Sequence, residues 1–191
     1  MFPQVKLIFQ PAHSDSQTRE KLLNGTLDIA FILDVPKPGH MIHLEPLVKE
    51  QMVLVCSSSH KLQFMDELLP HHLEKETLLL TETGCSYRTL LEEAFQHQGV
   101  YPANKMEFVS IEAIKQCVIA GLGLSLLPAM SVEKELRSGQ LVALPWLGLK
   151  NDIYTQLAWH KDKWMTPPLQ AFITLTRELF QDMRQEAAVQ A

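Results

Sequence analysis

The segment Thr81-Glu82-Thr83-Gly84-Cys85-Ser86-Tyr87-Arg88 carries the residue types in this chain best suited to binding. Its pattern reads as a strand, a glycine turn and the start of a helix. The first N–H groups of a helix have no partner inside it and sit at the positive end of its dipole, so such a start accepts an anion. Arg88, one turn in, adds a planar fork that suits a carboxylate. It has a plainer use as well, an ion pair with Glu92 at i,i+4. Ser110 stands at a second strand-to-helix junction, with Ile111 opening that helix, and offers a hydroxyl and further N–H groups. Ligands of open α/β sheets bind outside the carboxyl ends of strands, so two such junctions predict one cleft.

Cys85 lies between Gly84 and Ser86 just ahead of a helix, where the dipole and Arg88 favour the thiolate. That leaves two readings, a redox-reactive thiol or a small residue lining a turn. The other thiols, Cys56 and Cys117, look buried. Three cysteines without CxxC spacing argue against a disulfide framework or a structural zinc. The eight histidines show no metal-ligand spacing, and no metal or other cofactor is expected. No Gly-x-Ser-x-Gly elbow, P-loop or His-Glu-x-x-His is present, and Gly121-Leu-Gly123 lacks the third glycine of a dinucleotide fingerprint. The chain is expected to bind and not to catalyse.

Charge narrows the ligand further. With 17 basic against 22 acidic side chains, the net charge of −5 makes this stretch a poor partner for DNA phosphates. No window is apolar for long enough to span a bilayer, and no leader is visible at the start, which favours the cytoplasm.

The elements that must position these residues alternate as in an α/β protein with mostly parallel pairing. Strands are predicted at Val5–Phe9, Leu27–Leu33 (apolar enough to be buried on both faces), Met52–Ser57, Thr77–Thr81, Lys105–Val109, Leu124–Leu127, Leu141–Leu144 and Tyr154–Trp159. Ser14 with Gln17 has the form of a capping box, for a helix closed by Asn24-Gly25. Asp66–Glu74 reads as a short helix or turn. Ser86–Gln98 is a helix stopped by Gly99, and Ser110 caps another whose left-handed end falls to Gly123. Pro167 and Pro168 open a last amphipathic helix, expected to fray after Met183.

In this frame the chain resembles the effector-binding domain of LysR-type transcriptional regulators. Leu22-Leu-Asn-Gly-Thr-Leu-Asp28-Ile-Ala30 is similar to the family's L-x-x-G-x-L-D-x-A. Pro46 to Val55 with His60-Lys-Leu62 is similar to P-L-x-x-E-x-L-V-L-V … H-P-L, with Lys61 in place of proline. Glu112–Pro128 resembles V-x-x-G-L-G-I-x-x-L-P, and Trp159-His-Lys-Asp162 with the last helix resembles the closing strand and helix. Met1-Phe-Pro-Gln-Val resembles the end of the family's first helix, which implies that a winged helix-turn-helix and an opening strand-helix unit belong ahead of it.

The resemblance implies a two-lobed, periplasmic-binding-protein-like α/β fold with a small effector between the lobes. Lobe I would be residues 1–58 plus 150–191 and lobe II residues 59–149, with crossovers after Val55 and near Lys150–Ile153. Family pocket positions map onto Leu33, onto Glu82, Thr83, Gly84, Cys85, Ser86 and Arg88, and onto Ser110 and Ile111. Partners would be a small anionic effector, further copies in a homodimer or homotetramer, and DNA only through the winged domain. A solute-binding protein of a transporter is the alternative with the same architecture.

Overall fold

The computed structural model describes residues 2–11, 14–37, 40–146, 148 and 152–189, with side chains described to residue 183. The chain forms two compact units, Met1–Lys49 with Tyr154–Ala191 and Glu50–Ile153. The division expected at 58/59 and 149/150 therefore falls at 49/50 and 153/154. Strand pairing explains the shift, because Met52–Ser57 bonds to strands of the second unit.

Unit 1 begins with an irregular stretch and then helix α1, Asp15–Leu23. Ser14 caps α1 by accepting the Gln17 N–H at 3.3 Å, and the chain leaves through Asn24 and left-handed Gly25, φ 75°. Strand β1, Ala30–Asp34, pairs antiparallel with β8, Ile153–His160, and β8 also pairs with β2, Ile42–Glu50. Helix α5, Pro167–Val189, continues past the Met183 at which fraying was expected. Two clusters make the core: Leu22, Ile32, Ile42 and Ala158 under α1, and Leu47, Leu157, Trp159 and Ile173 under α5.

Three strand expectations change here. Val5–Phe9 forms no strand; no ladder bonds hold it, and Phe9 is 81% exposed. Leu27–Leu33 shortens to β1, an edge strand with Phe31 exposed, so it is not buried on both faces. β2 was not foreseen, because Pro46 interrupts its pattern. At a sheet edge the missing proline N–H costs no ladder bond.

Unit 2 is a five-stranded sheet with helices. Strand β3, Met52–Ser57, pairs antiparallel with both β6, Ser125–Pro128, and β7, Leu141–Leu144. Strand β4, Thr77–Thr81, pairs parallel with β5, Asn104–Phe108. A parallel bridge between Leu78 and Leu124 joins the two groups, giving the order β5-β4-β6-β3-β7. Most ladders among the described residues are thus antiparallel, against the expectation of mostly parallel pairing. The parallel pairing joins β5, β4 and the start of β6, where helices supply the crossovers, with one further parallel bridge between Leu68 and Trp146.

Two 3-10 turns, Lys61–Phe64 and Pro70–Leu73, cover one side of the core built on Leu54, Leu78, Leu80, Leu91, Phe95 and Leu124. Helix α2, Ser86–Gln96, follows β4; α3, Ile111–Ile119, follows β5; and α4, Ala129–Arg137, follows β6. The left-handed residue after α3 is Gly121 at φ 79°, two positions ahead of the Gly123 that was expected. Gly123 is glycine for another reason: a Cβ there would lie 2.3 Å from the Thr77 carbonyl oxygen.

Candidate functional site

The register of unit 2 decides where the candidate residues meet. Thr81, the last residue of β4, pairs with Phe108, the last of β5. Because the strands are parallel, their carboxyl ends lie side by side, and the starts of α2 and α3 share one edge. The Leu78–Leu124 bridge adds a third start. Carried forward, that register sets Pro128 level with Glu82, so α4 opens on the same edge. The α4 start was not singled out in the sequence; its signal is the apolar strand meeting Pro128, with few apolar residues after it to mark a helix.

Glu82, Thr83, Gly84, Cys85, Ser86 and Arg88 therefore stand at the same sheet edge as Ser110 and Ile111. Gly84 takes φ 94°, a left-handed conformation that favours glycine, and the turn closes with Cys85 N–H donating to the Glu82 carbonyl at 3.2 Å. That N–H is thus spent within the turn, which removes it from the set available to an anion. Ser110 caps α3 by accepting the Ala113 N–H at 3.4 Å, and its residue is exposed. Leu33 lies in the other unit, on β1 opposite Thr155.

Arg88 is more committed than its sequence context suggests. Its Nη1 donates to the Thr81 carbonyl at 2.6 Å and to a carboxylate oxygen of Glu107, while Nε lies 3.5 Å from Glu92. The Glu92 pairing is the plainer use set out above; Glu107 was not foreseen. Glu107 sits on β5 opposite Leu80, 51% exposed, and also accepts from the Thr83 hydroxyl at 3.4 Å. Burial works to lower the Arg88 pKa, but the Glu107 and Glu92 carboxylates outweigh it and hold the guanidinium more firmly charged. Arg88 in turn holds the Glu107 carboxyl below the usual range. Under them the Thr81 side-chain hydroxyl, on a residue only 8% exposed, has no hydrogen-bond partner.

The thiols divide by burial. Cys56 is buried in β3 and its pKa is pushed up to about 11 by loss of solvent. Cys85 and Cys117 are half-buried, so Cys117 is less enclosed than its helix stripe suggests. Unit 1 holds a cavity of about 560 Å³ walled by the Val5–Pro11 stretch, Phe31, Trp164 and Phe172, and Leu33 is not among its lining residues. Among the described residues no group of three or more His, Cys, Asp or Glu could hold a metal ion, and no helix is long and apolar enough to cross a membrane.

The family model of the LysR substrate binding domain matches residues 1–181. The chain belongs to this family. This LysR substrate binding domain is 51% identical over 181 residues to the HTH-type transcriptional regulator YwqM of Bacillus subtilis, covering 94% of the chain and 60% of YwqM. It is 32% identical to the regulator GltR of the same organism, covering 96% of the chain and 60% of GltR. The chain thus spans about 60% of the length of these curated relatives. Among solved structures it resembles the regulatory domain of MetR from N. meningitidis, with a TM-score of 0.76 at 22% identity over 93% of this chain and 81% of that one. The regulatory domain of Synechocystis CcmR in complex with 2-PG gives 0.74 at 20% identity, over 89% and 81% of the two chains. The effector-binding domain of QuiR in complex with shikimate gives 0.74 at 19%, over 88% and 79%. The LysR substrate binding domain therefore has the two-lobed, periplasmic-binding-protein-like α/β fold that its neighbours have.

Proposed function

We propose that this LysR substrate binding domain senses a small carboxylate-bearing metabolite, held at the carboxyl edge of β4, β5 and β6. The observation that carries the reading is the parallel register that brings the starts of α2, α3 and α4 to one edge. Helix starts supply N–H groups and a positive potential without any protein cation, and they favour a ligand anion over a neutral one. Ser110 adds a hydroxyl and Arg88 a guanidinium already anchored to the strand by the Thr81 carbonyl. Glu82, Thr83, Gly84, Cys85, Ser86 and Ile111 shape the seat.

The site supplies contacts and no reaction. Effector binding favours one arrangement of a homodimer or homotetramer, and so the placement of DNA-binding helices that the HTH-type relatives carry. The net charge of −5 fits this division of labour, with DNA contacts made outside the portion described. The transporter alternative draws no support from the matched relatives, which are regulators.

Isothermal titration of a library of carboxylate metabolites against the wild type, Arg88→Ala and Ser110→Ala tests the reading. Hits should weaken at least several-fold in both variants. Hits that bind all three proteins equally would place the effector elsewhere.

A further inference from the structure

Arg88 sits in a set of ion pairs that is already balanced. Arg88 pairs with Glu107 and lies near Glu92, and Lys105 donates to Glu92 at 3.2 Å. Two cations thus face two carboxylates. A ligand carboxylate added to this set would bring an uncompensated negative charge beside two others, which is unfavourable at short range. It binds well only if a resident carboxylate leaves.

The two residents are not equally free to go. Glu92 is shared by Arg88 and Lys105 and projects from the body of α2. Glu107 is held by Arg88 and by the Thr83 hydroxyl, and it is 51% exposed on the edge strand β5. On release it can turn into water at little cost in desolvation. Arg88 does not follow it, because the Thr81 carbonyl keeps Nη1 in place at 2.6 Å. What Glu107 vacates is a guanidinium and a hydroxyl pointed at one carboxylate-sized position.

We propose that Glu107 is the built-in occupant of the effector's anion seat, a specificity-determining carboxylate that a ligand must displace from Arg88 and Thr83. It sets a threshold. Ligands that gain contacts beyond their carboxylate overcome it readily, and bare small anions take the seat only at high concentration. This inference rests on the carboxylate-sensing reading above and concerns the same edge.

Acetate is the probe, because any carboxylate seat takes it at high millimolar concentration. It is exchanged for chloride at constant ionic strength and followed by NMR at Arg88 Nε, the Gly84 amide and the Glu107 side-chain carboxyl carbon. In the wild type the Glu107 carbon and Arg88 Nε should shift along one saturation curve. Glu107→Gln keeps shape and an acceptor oxygen but removes the charge, and acetate should bind it roughly two- to fivefold tighter, the range expected for losing an exposed ion pair. Glu93→Gln removes the same charge from an exposed position on α2 and should match the wild type. A response seen only in Glu107→Gln also supports displacement. If Arg88 Nε responds equally in the wild type and Glu107→Gln, the inference fails while the anion seat stands. If neither protein responds, the carboxylate-sensing reading falls and the inference with it.

Discussion

Replacing Gly123 with alanine puts a Cβ 2.3 Å from the Thr77 carbonyl oxygen, 3.0 Å from its carbon and 3.1 Å from its Cβ. Ordinary contact begins at 3.4 Å, so β4 and β6 must part by 3.4 − 2.3, about 1.1 Å. The oxygen that blocks the methyl is the one that accepts the Leu124 N–H at 2.9 Å, and Leu79 N–H donates to the Leu124 carbonyl at 2.8 Å. A parting of that size carries the first bond past hydrogen-bonding distance and strains the second. One buried backbone bond lost with its groups left unpaired costs about 1–3 kcal/mol, and the disturbed packing of Leu78 and Leu124 adds to it. Gly123→Ala should therefore destabilise unit 2 by about 3 kcal/mol. Urea unfolding read by Trp146 fluorescence, in a background of Trp159→Phe and Trp164→Phe, reports on that unit. Gly99→Ala is the comparison: φ is 67° and nothing lies within 4 Å, so it should cost only about 1 kcal/mol of left-handed strain. If the two alanines cost the same, the close approach at Thr77 is not what requires glycine at 123.

The pair between α3 and α4 gives a second test. Lys115 reaches Glu112 at 2.8 Å and Glu135 at 2.9 Å, with the Lys115 and Glu135 side chains only 12% and 9% exposed. Lys115→Met should cost about 2–3 kcal/mol in urea unfolding by stranding Glu135, and adding Glu135→Leu should recover most of it. Acid should weaken the fold through carboxyls whose folded pKa is lowered: Glu45, by the Arg177 hydrogen bonds against opposing burial, and Glu135, by Lys115. Their stabilisation is complete above the ordinary carboxylate range and is lost as pH falls through it toward the folded values, so Glu45→Gln should flatten the acid limb of a stability–pH curve. Iodoacetamide at mildly alkaline pH should label Cys85 and Cys117 before Cys56, whose pKa near 11 keeps it a thiol; tandem mass spectrometry locates the adducts.

What the sequence made legible was what local rules control. The β4–α2 and β5–α3 junctions follow from a few adjacent residues each: apolar runs, Gly84 for a left-handed turn, Ser110 for a cap. Where a partner decides, local pattern misleads. Val5–Phe9 has strand composition, but a strand exists only when another pairs with it, and none does here. β2 is the converse, since Pro46 argues against a strand until an edge position excuses its missing N–H. Helix α4 escaped because the apolar strand before Pro128 reads as an ending, while of the residues after it only Val132 and Glu135 are buried.

The same distinction separates Arg88 from its partners. A sequence displays a cation at a helix start and, through i,i+4 spacing, its acid on the same helix. It does not display Glu107, 19 positions away, whose place beside Arg88 depends on β4 and β5 pairing parallel with Leu80 opposite it. One residue of slip would turn that carboxylate to the opposite face of the sheet. The fold register that gathers the helix starts at one edge is thus also what delivers a carboxylate to it. For that reason the charge presented at this edge follows from the pairing of the strands, and counting the cations near the turn overstates how much positive charge is left uncompensated there.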